Sequence, residues 1–453
     1  MSLPAGPASP SPFQLMRWLG RPTEYLEATR GRFGDAFTMR IGVFPPLVLL
    51  SDPQAIQQLF SAESGTFDAG ASNQALKPTL GSNSLLLLDG ERHQQQRKLL
   101  MPPFHGERMR SYGELIRQLT SQVIAGLQPG SPFLIRSTMQ RISLSVILQA
   151  VFGLEGGARL RQLRRILSNM LDTMSAPLLM GLLLLLPDDL GPWSPRGQLN
   201  RSLEQIDALL YAEIRERRQR PDPAANDILS LLLAARDERG EPMSDVELRD
   251  ELMTLLVAGH ETTATSLVWA LYWIHYLPEV YQRLRAELDG LGTDFDPEAV
   301  ARLPYLNAVC SETLRIYPVA LITSPRVVRK PVRILGHEYT TGERLTAAIY
   351  LTHHRSDIYP ESDRFRPERF LERTFSPYEY LPFGGGNRRC IGMAFALYEM
   401  KLVLATFLSQ LEMHLVHPRP LLPVRRGVTL APPDGLYLMP GTRRVCGRVP
   451  ASV

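Results

Sequence analysis

The residues best able to do chemistry lie in Pro382-Phe-Gly-Gly-Gly-Asn-Arg-Arg-Cys390-Ile-Gly-Met-Ala-Phe-Ala396, a glycine-rich turn that leads into a strongly helical segment. A thiol at such a junction meets free backbone N–H groups and the positive end of a helix. With Arg388 and Arg389 beside it, the reactive, metal-binding thiolate is favoured. The glycines let the backbone approach something flat or bulky. A cysteine packed beside a turn is the plainer alternative. The joint spacing of Phe383, Gly386, Arg388, Cys390 and Gly392 argues against it. A second cluster, Ala258-Gly-His-Glu261-Thr262-Thr263, puts a carboxylate and two hydroxyls inside an apolar stretch. Such a carboxylate is either neutralised in a helical core or relays protons as a general acid. Glu312 and Arg315 stand at i and i+3, which alone would be a solvated ion pair worth roughly a few tenths of a kcal/mol. His93 and Arg97, four residues apart, share one helical face.

In order and spacing, these motifs resemble those of the cytochrome P450 superfamily of haem-thiolate monooxygenases, and the resemblance extends along nearly the whole chain. It implies a mainly α fold with small β-sheets and heme b (iron protoporphyrin IX) as cofactor. Cys390 would be the axial ligand, with Ala258, Phe383 and Gly392 against the haem. His93, Arg97, Arg388 and Arg326 would meet the propionates. Glu261 would gate protons, and the Thr262 hydroxyl would assist O2 activation. Glu312 and Arg315 would form a buried structural network with Arg369 of Pro367-Glu-Arg-Phe370. The pocket would be lined by Leu85, Leu86 and Leu87 from the loop over the haem, with Val257, Ala320, Leu321 and Val428.

The implied activity is hydroxylation or epoxidation of an apolar small molecule of the fatty acid or terpenoid class, as in soluble bacterial members. A peroxygenase or hydroperoxide-rearranging enzyme, and a non-catalytic haem sensor or carrier, are the rival readings. The Glu261-Thr262 pair disfavours both. No flavin or iron–sulfur segment follows Cys390, so electrons are expected from a ferredoxin or flavodoxin with an NADPH-dependent reductase. Arg97, Lys98, Arg108, Arg110, Arg389 and Lys401 would suit an acidic partner.

Positioning these groups requires one long central helix. Residues Asp245 to about Ile274 are expected to form it, opened by the capping box Ser244-x-x-Glu247 and apolar nearly all round beyond Leu252. Helical periodicity covers most of Glu107 to about Arg285, with breaks at Pro129-Gly130, Pro177, Gly191 to Trp193 and Pro221 to Pro223. Short β-like stretches occur at Ala36 to Ile41, Leu47 to Leu50, Arg333 to Leu335, Arg344 to Ala347 and Leu436 to Leu438.

The 453 residues are 44% hydrophobic and 21% charged, which excludes disorder and fibres. Neither a linker nor a repeat divides them, so a single large domain is expected over 13–453, after a disordered or extended leader over 1–12. Fifty Lys plus Arg against 46 Asp plus Glu gives +4, too little to indicate nucleic acid. Three widely spaced cysteines, Cys310, Cys390 and Cys446, fit neither a disulfide framework nor a zinc ribbon. A reducing, cytoplasmic location is expected. The longest apolar run, Leu178 to Leu186, is about half the length needed to span a bilayer. It could form a lid or touch a membrane surface.

Overall fold

In the computed structural model, residues 3–444 are described except 105, 107, 154–156, 176–190, 192–193, 223–224 and 293. The apolar run at 178–186, the break at Pro177, His105 and Cys446 therefore lie outside the described residues. Near the start, α1 (Ser11–Gly20) precedes an antiparallel pair, β1 (Ala36–Met39) and β2 (Leu47–Leu50). With β3 (Phe67–Asp68), β4 (Arg326–Val328) and β5 (Arg344–Ala347) they form a five-stranded sheet in the order β1-β2-β5-β4-β3. Only β2 and β5 run parallel. Strand alternation serves both faces: Leu49 packs with Trp18 and Phe37, whereas Val48 and Leu50 pack with Ile56 and Leu59.

The proline-rich stretch expected as a leader through residue 12 is shorter and docked. It runs extended along the free edge of β1, where Thr38 donates its N–H to the Ala5 carbonyl and its hydroxyl to the Pro4 carbonyl. Gln14 donates to the carbonyls of Pro7 and Ser9. A Cβ on Gly6 would come within 1.9 Å of the Thr38 oxygen, so only glycine fits there. The helix α1 begins at Ser11, because Pro12 in its first turn needs no hydrogen-bond donor.

The helical half carries the main core. Four helices frame the cavity: α2 (Gly90–Leu100), α3 (Ile135–Phe152), α4 (Asp245–Tyr276) and α5 (Pro304–Ile316). A fifth, α6 (Met393–Gln410), follows the cysteine loop. The capping box forms at Ser244 and Glu247, and α4 is buried on every side through most of its length. Its Leu256, Leu267 and Leu271 join Ile142 and Val146 of α3 and Leu404 and Phe407 of α6 in one cluster. Tyr437–Arg443, expected at Leu436 to Leu438, pairs with Phe133–Leu134 and Leu411–Leu415.

Glu312 and Arg315 form no surface bridge: both side chains are 0% exposed. The Glu312 carboxylate accepts from Arg315 Nε at 2.6 Å and Nη2 at 2.9 Å, from Arg369 Nε at 3.1 Å and from the Arg366 N–H at 2.8 Å. Arg315 also donates to the His353 carbonyl, so the network ties α5 to two later segments. Such a pair is stable only because its remaining donors and acceptors are met.

Candidate active site

The cysteine loop is closed by the Cys390 N–H, which donates to the Phe383 carbonyl at 3.0 Å. Gly384 and Gly386 hold φ of +68° and +64°, which side chains rarely adopt. Gly385 serves close approach, but toward protein: a Cβ there would fall 2.3 Å from the Phe60 ring. Gly392 caps α6, and Cys390 sits just ahead of it. Its sulfur opens onto a cavity of about 420 Å³. Burial raises the thiol pKa, opposed by a hydrogen bond from the Gly392 backbone and the charges of Arg97 and Arg389. The expected field is present, and a cation held at the sulfur would favour the thiolate further. Cys310 is fully buried and pushed up to about 12, an inert packed thiol.

Basic groups collect on one side of this cavity. Arg97, Arg326, Arg388 and His93 all line it. Arg326 is buried, its Nη1 has no hydrogen-bond partner, and burial pulls its pKa down to about 10. Arg97 has no carboxylate partner among the described residues, and burial lowers its pKa. His93 is held neutral, its pKa lowered to about 4 by burial and by the neighbouring Arg388 and Arg97. Arg388 is already engaged: it pairs with Asp89 and donates to the carbonyls of Leu85 and Leu88. Asp89 also accepts the N–H groups of Ala69, Gly70 and Ala71, so it joins three loops. The sequence reading missed this acid.

The roof is α4, which presents Thr254, Leu255, Ala258, Gly259, Thr262, Thr263 and Ser266 to the cavity. Their spacing of three and four is one helical stripe. Val257, expected to line the pocket, falls off that stripe and packs against the main core. Leu255 takes its place, as helical periodicity alone could have indicated. The Thr262 hydroxyl donates to the Ala258 carbonyl at 2.7 Å, leaving its lone pairs toward the cavity. Glu261 points elsewhere. Its carboxylate pairs with Arg136 at 2.6 Å and accepts from Gln140 Nε2 at 2.9 Å, both on α3.

Leu85, Leu86 and Ala320 reach the cavity wall, as do Phe383 and Gly392. Three other expected liners do not. Leu87 is buried outside the cavity. Leu321 belongs to the cluster of Trp18 and Phe37, whereas Ala320 beside it reaches the cavity. Val428, 74% exposed, lies in the turn between Val424–Arg426 and Thr429–Ala431. Ile147 on α3 and Phe395 and Met400 on α6 also line the cavity. Nothing in their local sequence distinguishes them from core.

The family profile described as Cytochrome P450 matches residues 4–439. A relative from Mycobacterium tuberculosis with the provisional name cytochrome P450 135B1 is 40% identical over 415 residues, 91% of this chain and 86% of that protein. One from Mycobacterium bovis, provisionally named cytochrome P450 138, is 33% identical over 438 residues, 96% and 95% of the two chains. Among solved structures, the retinoic acid-bound cyanobacterial CYP120A1 superposes with a TM-score of 0.84 at 26% identity, over 98% of this chain and all of that one. The cytochrome P450DA heme domain, at 23% identity and a TM-score of 0.83, shares the fold. With the thiol below the cavity, the basic groups beside it and these matches over nearly its full length, the chain belongs to the cytochrome P450 family of haem monooxygenases.

Proposed function

We propose that the protein hydroxylates or epoxidises an apolar small molecule of the fatty acid or terpenoid class. The observation that carries this reading is the lining of the cavity at Cys390, where apolar side chains, Leu85, Leu86, Ile147, Leu255, Val319 and Ile322 among them, outnumber the polar ones. Haem fits the residues present. Cys390 offers one soft ligand, and Arg97 and the unpartnered Arg326 Nη1 offer cationic partners for two carboxylates. No group of three or more His, Cys, Asp or Glu among the described residues could hold a bare metal ion, so an iron at this thiol needs a macrocycle for its other ligands. When bound, thiolate-ligated haem supplies activation of O2, with electron density pushed from the sulfur.

The chain's own groups do the rest. Thr262 holds a hydroxyl at the roof, where it can donate to an oxygen atom once it releases the Ala258 carbonyl. Glu261 can deliver a proton to the cavity only after it leaves Arg136 and Gln140. The apolar walls exclude water from the reacting region.

Electrons would come from a ferredoxin or flavodoxin with an NADPH-dependent reductase. The basic docking patch is smaller than the sequence suggested, because Lys98 pairs with Glu238, Arg110 with Glu298, and Lys401 donates to the Ala301 carbonyl. A cytoplasmic location goes with this reading: Cys310 and Cys390 are both free thiols. No described helix is long and apolar enough to cross a membrane. The structural relative that holds retinoic acid, an apolar carboxylic acid, supports the lipid class. The test is a panel of fatty acids and terpenoids incubated with NADPH, ferredoxin and reductase, and separately with hydrogen peroxide. Oxygenated products from the first system alone are expected. Products only with peroxide would replace the reading by a peroxygenase, and ligand binding without products by a carrier.

A further inference from the structure

The first turns of α4 hold the loop that forms one wall of the cavity. Asp250 Oδ2 accepts two hydrogen bonds from Asn83, from the backbone N–H at 2.9 Å and from Nδ2 at 3.0 Å. One turn later, the Thr254 and Ser84 hydroxyls meet at 2.7 Å. Asp250, Thr254 and Ser84 are all buried, so water does not compete for these bonds. The fit is close: Gly81 has φ of +83°, and a Cβ there would lie 1.8 Å from Asp250 Oδ1. Ser84 in turn orders the leucines after it, because its carbonyl accepts from the N–H groups of Leu87 and Leu88 and its hydroxyl from that of Leu86. Leu85 and Leu86, the next residues, face the cavity, and Leu86 is 37% exposed.

We infer that Asp250 and Thr254 are positioning residues that set the ligand-facing wall by clamping Asn83 and Ser84. Charge-assisted hydrogen bonds to a carboxylate are the strong kind, and Arg249 Nη1, which donates to Asp250 Oδ1 at 3.1 Å, compensates the buried charge. Two leucines on an otherwise irregular loop can bind a ligand well only if their backbone order is supplied beforehand, since ordering it on binding subtracts from affinity. Asp250 and Thr254 supply that order from a rigid helix.

The inference rests on the cavity being the ligand site, and two azoles separate the two claims. Imidazole and clotrimazole each bring a nitrogen to the same haem iron, but only the bulky triaryl group of clotrimazole reaches the walls. On the haem-loaded protein, both are titrated by the red shift of the Soret band. Asp250→Ala is expected to weaken clotrimazole at least tenfold and leave imidazole unchanged. Asp250→Asn, which keeps an oxygen acceptor for Asn83, should recover most of the loss. Asn83→Ala and Ser84→Ala should lose affinity in the same selective way, by less, and they carry the test if Asp250→Ala fails to load haem. Equal losses for both azoles, or none for either, would overturn the clamp while leaving the cavity reading intact. Failure of clotrimazole to shift the wild-type spectrum would overturn both.

Discussion

Replacing Glu251 by Gln should change how stability depends on pH. This carboxyl on α4 is 0% exposed, and neither of its oxygens makes a hydrogen bond of good geometry, although Gln96 and the Leu85 backbone lie close to it. Burial pushes its pKa up to about 8 from an ordinary 4.5; the nearby Gln96 and Leu85 backbone ease the shift only in part, and the charges of Asp250 and Glu247 add to it. Below pH 4.5 the folded and unfolded chains both hold the proton, and burial of the group is least costly. As pH rises toward 8 the unfolded chain ionises while the folded one cannot, so stability falls with pH and levels off above 8. Each unit is worth about 1.4 kcal/mol, so from pH 5 to pH 8 the wild type loses roughly 4 kcal/mol through this group alone. Gln carries no proton and removes that loss. Relative to wild type, Glu251→Gln should gain roughly 4 kcal/mol between pH 5 and 8, which for a chain of this size is a relative rise of about 4 °C in melting temperature. Thermal unfolding of both proteins at pH 5, 6.5, 8 and 9 measures it, since other titrations cancel in the difference. A constant offset across that range would show that the carboxyl ionises near its ordinary value and would refute the argument. Glu399, fully buried on α6 and also pushed up to about 8, should give the same sign when changed to Gln.

Other substitutions test the site and its supports. Cys390→Ala should abolish the red-shifted Soret band of the ferrous carbonyl complex, and survival of that band would remove Cys390 as the ligand. Arg315→Ala should give little haem-loaded protein, because it uncovers part of a fully buried carboxylate at a cost of roughly 3–5 kcal/mol; normal yield and haem content would contradict this. Thr262→Ala should keep the thiolate-haem spectrum and NADPH consumption but divert oxygen to hydrogen peroxide. The measurement is product formed per NADPH, and wild-type coupling would exclude the hydroxyl from the reaction.

The long elements and the linear motifs were legible because their signals are local. The capping box placed the start of α4, and its apolar run required a helix buried all round. Cys390 and its glycines could be recognised from spacing, although the need for glycine at Gly385 comes from the Phe60 ring, which no local pattern announces. What remained hidden depends on distant partners. Glu261 lies correctly in its helix, yet its direction is fixed by Arg136 and Gln140 on α3, which no local pattern announces. Asp89 stands just ahead of α2 with nothing local to mark it, and its hold on Arg388 spans 299 residues. Strands of two or three residues, such as β3, carry too little pattern to stand out from loop. Leu321 and Val428 were misplaced because hydrophobicity says a residue seeks cover, not which of three clusters or a surface turn receives it.

The docked segment before α1 also bears on how this protein avoids sticking to itself. β1 is an edge strand, and an apolar edge with unpaired backbone groups recruits other chains. Here Pro4 to Gly6 lies against that edge and takes the Thr38 N–H and hydroxyl, while Pro4 itself has no N–H to offer a newcomer. The segment therefore ends the sheet. Trimming it would leave the haem site untouched and uncover a short apolar template, so a shortened protein should fold and bind ligand yet lose solubility as its concentration rises.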